Sequence, residues 1–87
     1  MREIIFTKHA EGKFETLRKH ALIIARHRVL KTVTDPERLD LSRAPLIIAQ
    51  RDFDKRHVLR VVYKQQGNVI KIITFYPGRK SQYEKEK

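Results

Sequence analysis

The chain contains no cysteine and no tryptophan. Without thiols it can build no disulfide, no thiolate zinc site and no cysteine nucleophile, a composition that fits a reducing compartment. Glycine is scarce, at three of 87 residues, and the three are scattered, so there is no glycine-rich loop to cradle a phosphate or a dinucleotide. No stretch approaches the roughly 18 apolar residues that a membrane span requires. The opening MREIIF runs into Lys8 with no hydrophobic signal core and no small-residue cleavage site, which reads as a cytoplasmic protein with no membrane partner. Acidic charge is also in short supply. Ten Asp and Glu face twenty Lys and Arg, a formal net charge of +10 and a pI near 10.3. A field of that sign on so small a chain suits a polyanionic partner, and nucleic acid is the leading candidate. The four histidines, His9, His20, His27 and His57, include no i, i+4 pair and no carboxylate at ligand spacing, so neither a metal nor any other cofactor is expected.

At this length the chain makes one domain, residues 1–87, because two cores would each be too small. The alternating EKEK at residues 84–87 reads as a mobile tail. EIIFT, residues 3–7, is β-branched and apolar and reads as a strand, with Thr7 placed to cap a helix from Lys8. Ala10, Phe14, Leu17 and Ala21 share one helical face, with Gly12 a weak point. Residues 21–34 read as a second helix, with Leu22, Ala25, Val29 and Val33 on one face, ended by Asp35-Pro36.

A connector, residues 37–44, precedes three strands at 45–53, 56–65 and 68–76, the last two joined by a turn at Gln66-Gly67. The third alternates Val69, Lys71, Ile73 and Phe75 against Ile70, Ile72, Thr74 and Tyr76, and turns at Pro77-Gly78. A strand, two helices and then a run of strands spell an α+β fold. One sheet face packs on the helices and the other carries cations such as Arg60.

Cations and aromatics are the candidates for chemistry. Cutting RNA without a metal needs a group to take the ribose 2′-OH proton, a group to protonate the leaving oxygen, and guanidinium or ammonium groups for the charge on phosphate. Arg60 on an otherwise apolar strand set needs water, a partner or a ligand. His9 fits either a brace at the strand-to-helix corner or a site group. Arg79-Lys80 fits either a solvated turn or a phosphate contact, and Tyr76 either a core position or the lining of a groove. Tyr63 lies in the apolar set of its strand and reads as core. Arg18, Lys19, Arg26 and Arg28 form exposed helix faces or a phosphate-facing rim. Asp35, Glu37, Asp40, Asp52 and Asp54, each near Arg or Lys, read as turn residues and surface ion pairs.

FTKHA near the start, a TDPE segment after two helices, HVLRVVYKQQGNVIKIITFYP, and then RKSQY resemble the RelE/ParE-related small-toxin superfamily over nearly the whole chain. Within it the closest likeness is to a branch with a Lys-His-Ala opening and a strand ending Thr-x-Tyr-Pro. The resemblance implies two helices on a curved antiparallel sheet of about four strands. It implies a toxin of a toxin–antitoxin system: on the RelE side an endoribonuclease that cuts mRNA, in many relatives on the ribosome, and on the ParE side a non-catalytic inhibitor of a protein target. Carried over, it gives Arg60 to phosphate, Arg79 or Lys80 to transition-state charge, and Tyr83 to stacking or proton transfer. His9 comes with the branch motif. Arg18, Lys19, Arg26, Arg28 and Tyr76 would then contact RNA. It also implies an antitoxin protein that wraps the toxin. Arg18, Lys19 and His20 stand where that pattern leads one to expect a glycine.

Overall fold

The computed structural model of the chain describes residues 3–83. The expected tail at 84–87 lies outside them. Strand β1 (Glu3–Phe6) leads into helix α1 (Lys8–Lys19). Thr7 caps the helix: its hydroxyl oxygen accepts from the Ala10 amide at 3.1 Å and donates to the Ile73 carbonyl at 3.2 Å, pinning the helix start to the sheet. The helix passes through Gly12 without a break, and Ala10, Phe14 and Leu17 turn inward as their spacing requires.

The second helix, α2, spans Arg26–Thr34 and not 21–34. The segment between the helices is a Schellman turn: the Ala21 amide donates to the Arg18 carbonyl and the Leu22 amide to the Leu17 carbonyl, both at 2.9 Å. Ala21 holds φ at 63°, where glycine is the usual occupant. With no glycine to mark it, an apolar run (ALIIA) reads as continuous helix, although the chain must reverse there to return α2 to the sheet. Ala21→Gly is therefore expected to raise stability by about 0.5–1 kcal/mol, the left-handed strain exceeding glycine's entropy cost, as read by urea denaturation.

Asp35 closes α2 ahead of Pro36, as expected. The connector carries a short strand, β2 (Arg38–Asp40), and then β3 (Ile47–Asp52), β4 (His57–Gln66) and β5 (Val69–Arg79) follow. A four-residue helix, α3 (Lys80–Tyr83), ends the described chain. The architecture is α+β. The sheet corrects the expectation of about four antiparallel strands: it has five, in the order β1-β5-β4-β3-β2, and β1 runs parallel to β5, so it is mixed. The two helices form the crossover that a parallel pair needs.

β5 departs from strict alternation. Val62 pairs with Thr74 but Tyr63 with Ile72, leaving Ile73 as a bulge. Ile70, Ile72 and Phe75 therefore all reach the helix side, and Thr74 and Tyr76 the other. β5 also runs straight through Pro77-Gly78, where a turn was expected. β1 has ended by Ile72, so Pro77 sits on an open edge where its missing N–H costs nothing. The core lies between the helices and the sheet around Phe75, which is fully buried and packs on Phe14 with ring centroids 4.7 Å apart. Tyr63 is part of this core, as its strand position implied.

Candidate nucleic-acid interface

Strand alternation sends Arg60 to the face away from the helices, where it is only 6% exposed. Its Nη1 donates to Gln50 Oε1 at 3.1 Å and its Nη2 to Asp40 Oδ2 at 3.2 Å. Nε is buried without a partner. The Tyr83 ring lies over the guanidinium at 4.1 Å, a cation–π arrangement. Gly78 makes this seat possible, because a Cβ there would run into the Tyr83 ring, and Arg38 Nη1 donates to the Tyr83 carbonyl at 2.9 Å. Asp40 is held below the ordinary carboxylate range, first by the Ser42 hydroxyl and amide and then by Arg60. Both terminal nitrogens of Arg60 are thus already engaged, while Nε is left unpaired. Arg60→Met is expected to cost about 1–3 kcal/mol because it strands Gln50, and adding Gln50→Leu should recover most of the loss, as read by denaturant melts.

A separate cluster of cations lies at the sheet end where the β3–β4 turn meets the end of β5. Asp54 shapes that turn: its Oδ1 accepts from the Arg56 amide at 2.9 Å, the His57 amide at 2.8 Å and His57 Nδ1 at 2.9 Å. These contacts, the Arg56 amide first and the His57 ring and amide after it, keep the Asp54 carboxyl below its usual range. His57 pairs in register with Arg79, and the Lys80 amide donates to the Arg56 carbonyl at 2.9 Å. The result is an open depression of about 560 Å³ lined by Lys55, Arg56, His57, Arg79, Lys80 and Ser81. Lys80 is tied to Asp52 at 3.2 Å, but Lys55, Arg56 and Arg79 have no carboxylate partner among the described residues. Their charges add within a Debye length of roughly 8–10 Å.

The residues singled out in the sequence fall in three places. Arg60 and Tyr83 touch, and Tyr76, the register partner of Arg60, borders the same cavity. Arg79 and Lys80 line the basic depression. Arg79 pairs three positions along β4 from Arg60, so alternation turns it to the other face. His9 is exposed on α1, in the layer across the sheet from Arg60. The five expected catalytic side chains therefore do not meet at one point. On the helix side Arg26 lies over Phe6 at 4.6 Å and binds Glu11 at 2.6 Å. Arg28 lies over Phe53 at 4.6 Å, Arg18 pairs with Glu15, and Lys19 is exposed. Lys55, Arg56 and His57 escaped sequence reasoning. The legible signal was DKRH, residues 54–57, an Asp three residues before a His in a basic turn. Among the described residues no group of three or more His, Cys, Asp or Glu is placed to hold a metal ion, and no helix is long and apolar enough to cross a membrane.

Comparison with models of known families, with curated proteins and with solved structures finds no match for this chain.

Proposed function

We propose that this chain is a single-stranded-RNA-binding protein of the RelE/ParE-related small-toxin kind, and that it grips phosphate in the depression between the β3–β4 turn and the end of β5. The observation that carries this is the row Lys55, Arg56, His57, Arg79 and Lys80 on one concave surface, three of them without a carboxylate partner among the described residues. Arginine forks suit phosphate oxygens, and a concave site admits the exposed backbone of a single strand. The order of strand, two helices and a run of antiparallel strands supports the kinship, and the net charge of +10 suits capture by an acidic antitoxin.

Binding is supported ahead of cleavage because Arg60 is engaged by Gln50 and Asp40 beneath Tyr83, apart from Arg79, Lys80 and His9. The test is fluorescence anisotropy of a labelled RNA oligonucleotide against salt. A dissociation constant that weakens steeply, with a log–log slope of about 0.7 per phosphate contact, supports the reading. No binding at low salt overturns it and leaves a ParE-like protein target as the alternative.

A further inference from the structure

We infer that strand β2 is a self-association edge: two copies of the chain pair β2 with β2, antiparallel, about a two-fold axis through Leu39, joining their sheets. The inference is separate from the RNA-binding reading, because no residue of β2 lines the basic depression.

Three observations meet at β2. It is the last strand in the sheet order, so among the described residues no strand covers its outer side. An uncovered edge offers backbone donors and acceptors to another chain. Leu39 is 48% exposed, and Leu41, just beyond the strand, is 61% exposed. The third observation is the strand's sequence, Arg38-Leu39-Asp40, which complements its own reverse. An antiparallel pair centred on Leu39 sets Leu39 against its copy and Arg38 of each chain opposite Asp40 of the other.

Those two side chains have room for a second contact. Arg38 donates to the Tyr83 carbonyl but has no carboxylate partner among the described residues. The Asp40 side chain stays 39% exposed while it holds Arg60. Opposite charges facing each other across a strand pair attract, and like charges repel. That selects the register, because a pair centred on Asp40 would set two carboxylates face to face. The contact is isologous, as closed two-fold dimers require. A two-fold axis normal to the sheet keeps both helix layers on one side and both Arg60 residues on the other. The cavity of about 340 Å³ beside Arg60 is lined along this edge by Arg38, Leu39, Asp40 and Leu41, so the second copy completes its wall.

Net charge opposes the pair. Each copy carries +10, whereas the β2 contact is itself balanced. Salt screens the repulsion between the chains, while backbone pairing and leucine contact persist. The strand is short, so a dissociation constant on the order of 100 μM is expected, at the weak end of specific association.

The experiment is sedimentation velocity of the full chain over a concentration series, at low and at high salt. The expected result is a monomer–dimer equilibrium that tightens about threefold or more when salt is raised from roughly 0.05 to 0.5 M. Arg38→Glu and Leu39→Lys each set like charges opposite one another across the axis and should weaken the dimer by about tenfold or more. A circular-dichroism melt checks that each variant is folded. A second measurement uses the absence of cysteine from the chain. Leu39→Cys places a single thiol at the axis, where facing β-carbons lie roughly 4.5–5.5 Å apart, close to disulfide reach. With oxidised glutathione it should cross-link about tenfold faster than Ile23→Cys, which lies between the helices at a position 74% exposed. A monomer at every concentration and salt overturns the inference, and so does a dimer that loosens as salt rises. A dimer left intact by Arg38→Glu and Leu39→Lys, or cross-linking of Leu39→Cys no faster than of Ile23→Cys, overturns it too.

Discussion

Phe75→Ala is expected to remove roughly 3–5 kcal/mol of stability, lowering Tm on the order of 15–30 °C in a calorimetric or circular-dichroism melt. Phe75 is fully buried where the helix layer meets β5, and its ring packs on Phe14, which in turn packs on Phe6 at 5.8 Å. A domain of this size holds roughly 5–10 kcal/mol in all, so the variant should be near the edge of folding. The neighbouring pair tests the bulge that puts Phe75 there. Ile72 is fully buried and Ile73 only half-buried. Ile72→Ala should therefore cost about 2–5 kcal/mol and Ile73→Ala clearly less. In an unbroken strand Ile73 and Phe75 would share the core side, and the order of the two losses would reverse.

The second large effect concerns binding. Arg56→Ala with Arg79→Ala removes two exposed guanidinium groups that touch no carboxylate among the described residues. Folding stability should hold to within about 0.5 kcal/mol, the usual range for surface changes. RNA affinity should not. Each lost phosphate contact removes about 0.7 from the log–log salt slope, worth roughly fivefold near 0.1 M salt, so the pair should weaken binding about 25-fold and flatten the slope by about 1.4. Lys8→Ala with Lys71→Ala removes the same charge from exposed positions away from the depression, and should leave the slope nearly unchanged. Equal losses from both pairs would show that net charge, and not the depression, holds the RNA.

Much of the fold could be read from the residues because local signals agreed with the final packing. Thr7 as a cap, the 10-14-17 stripe on α1, Asp35-Pro36 as the stop of α2, and the Gln66-Gly67 turn all depend on neighbours in sequence. What escaped depends on distant neighbours. Ala21 takes the left-handed position of a Schellman turn with no glycine to announce it, because Leu17 and Leu22 both gain core contacts from that geometry. The parallel pairing of β1 with β5 follows from the two-helix crossover, which no local pattern in EIIF encodes. The bulge at Ile73 is invisible because either alternation leaves an apolar residue on each side.

The site divides in the same way. Arg60 was legible as an out-of-place cation, and it does need partners, but those partners, Gln50 and Asp40, come from strands 10 and 20 residues away in sequence. Arg79 and Lys80 were legible as a basic pair. Their neighbours Lys55, Arg56 and His57 became visible only once the β4–β5 register set His57 opposite Arg79.

Whether RNA seats in the depression between the β3–β4 turn and the end of β5 is tested by a two-dimensional amide NMR titration of the labelled chain with a short single-stranded RNA. Shifts should concentrate at residues 54–57 and 78–82, with the His57 ring signals moving in step with them. Shifts confined to the helix layer around Arg18, Lys19, Arg26 and Arg28, or none up to millimolar RNA, would contradict that seating.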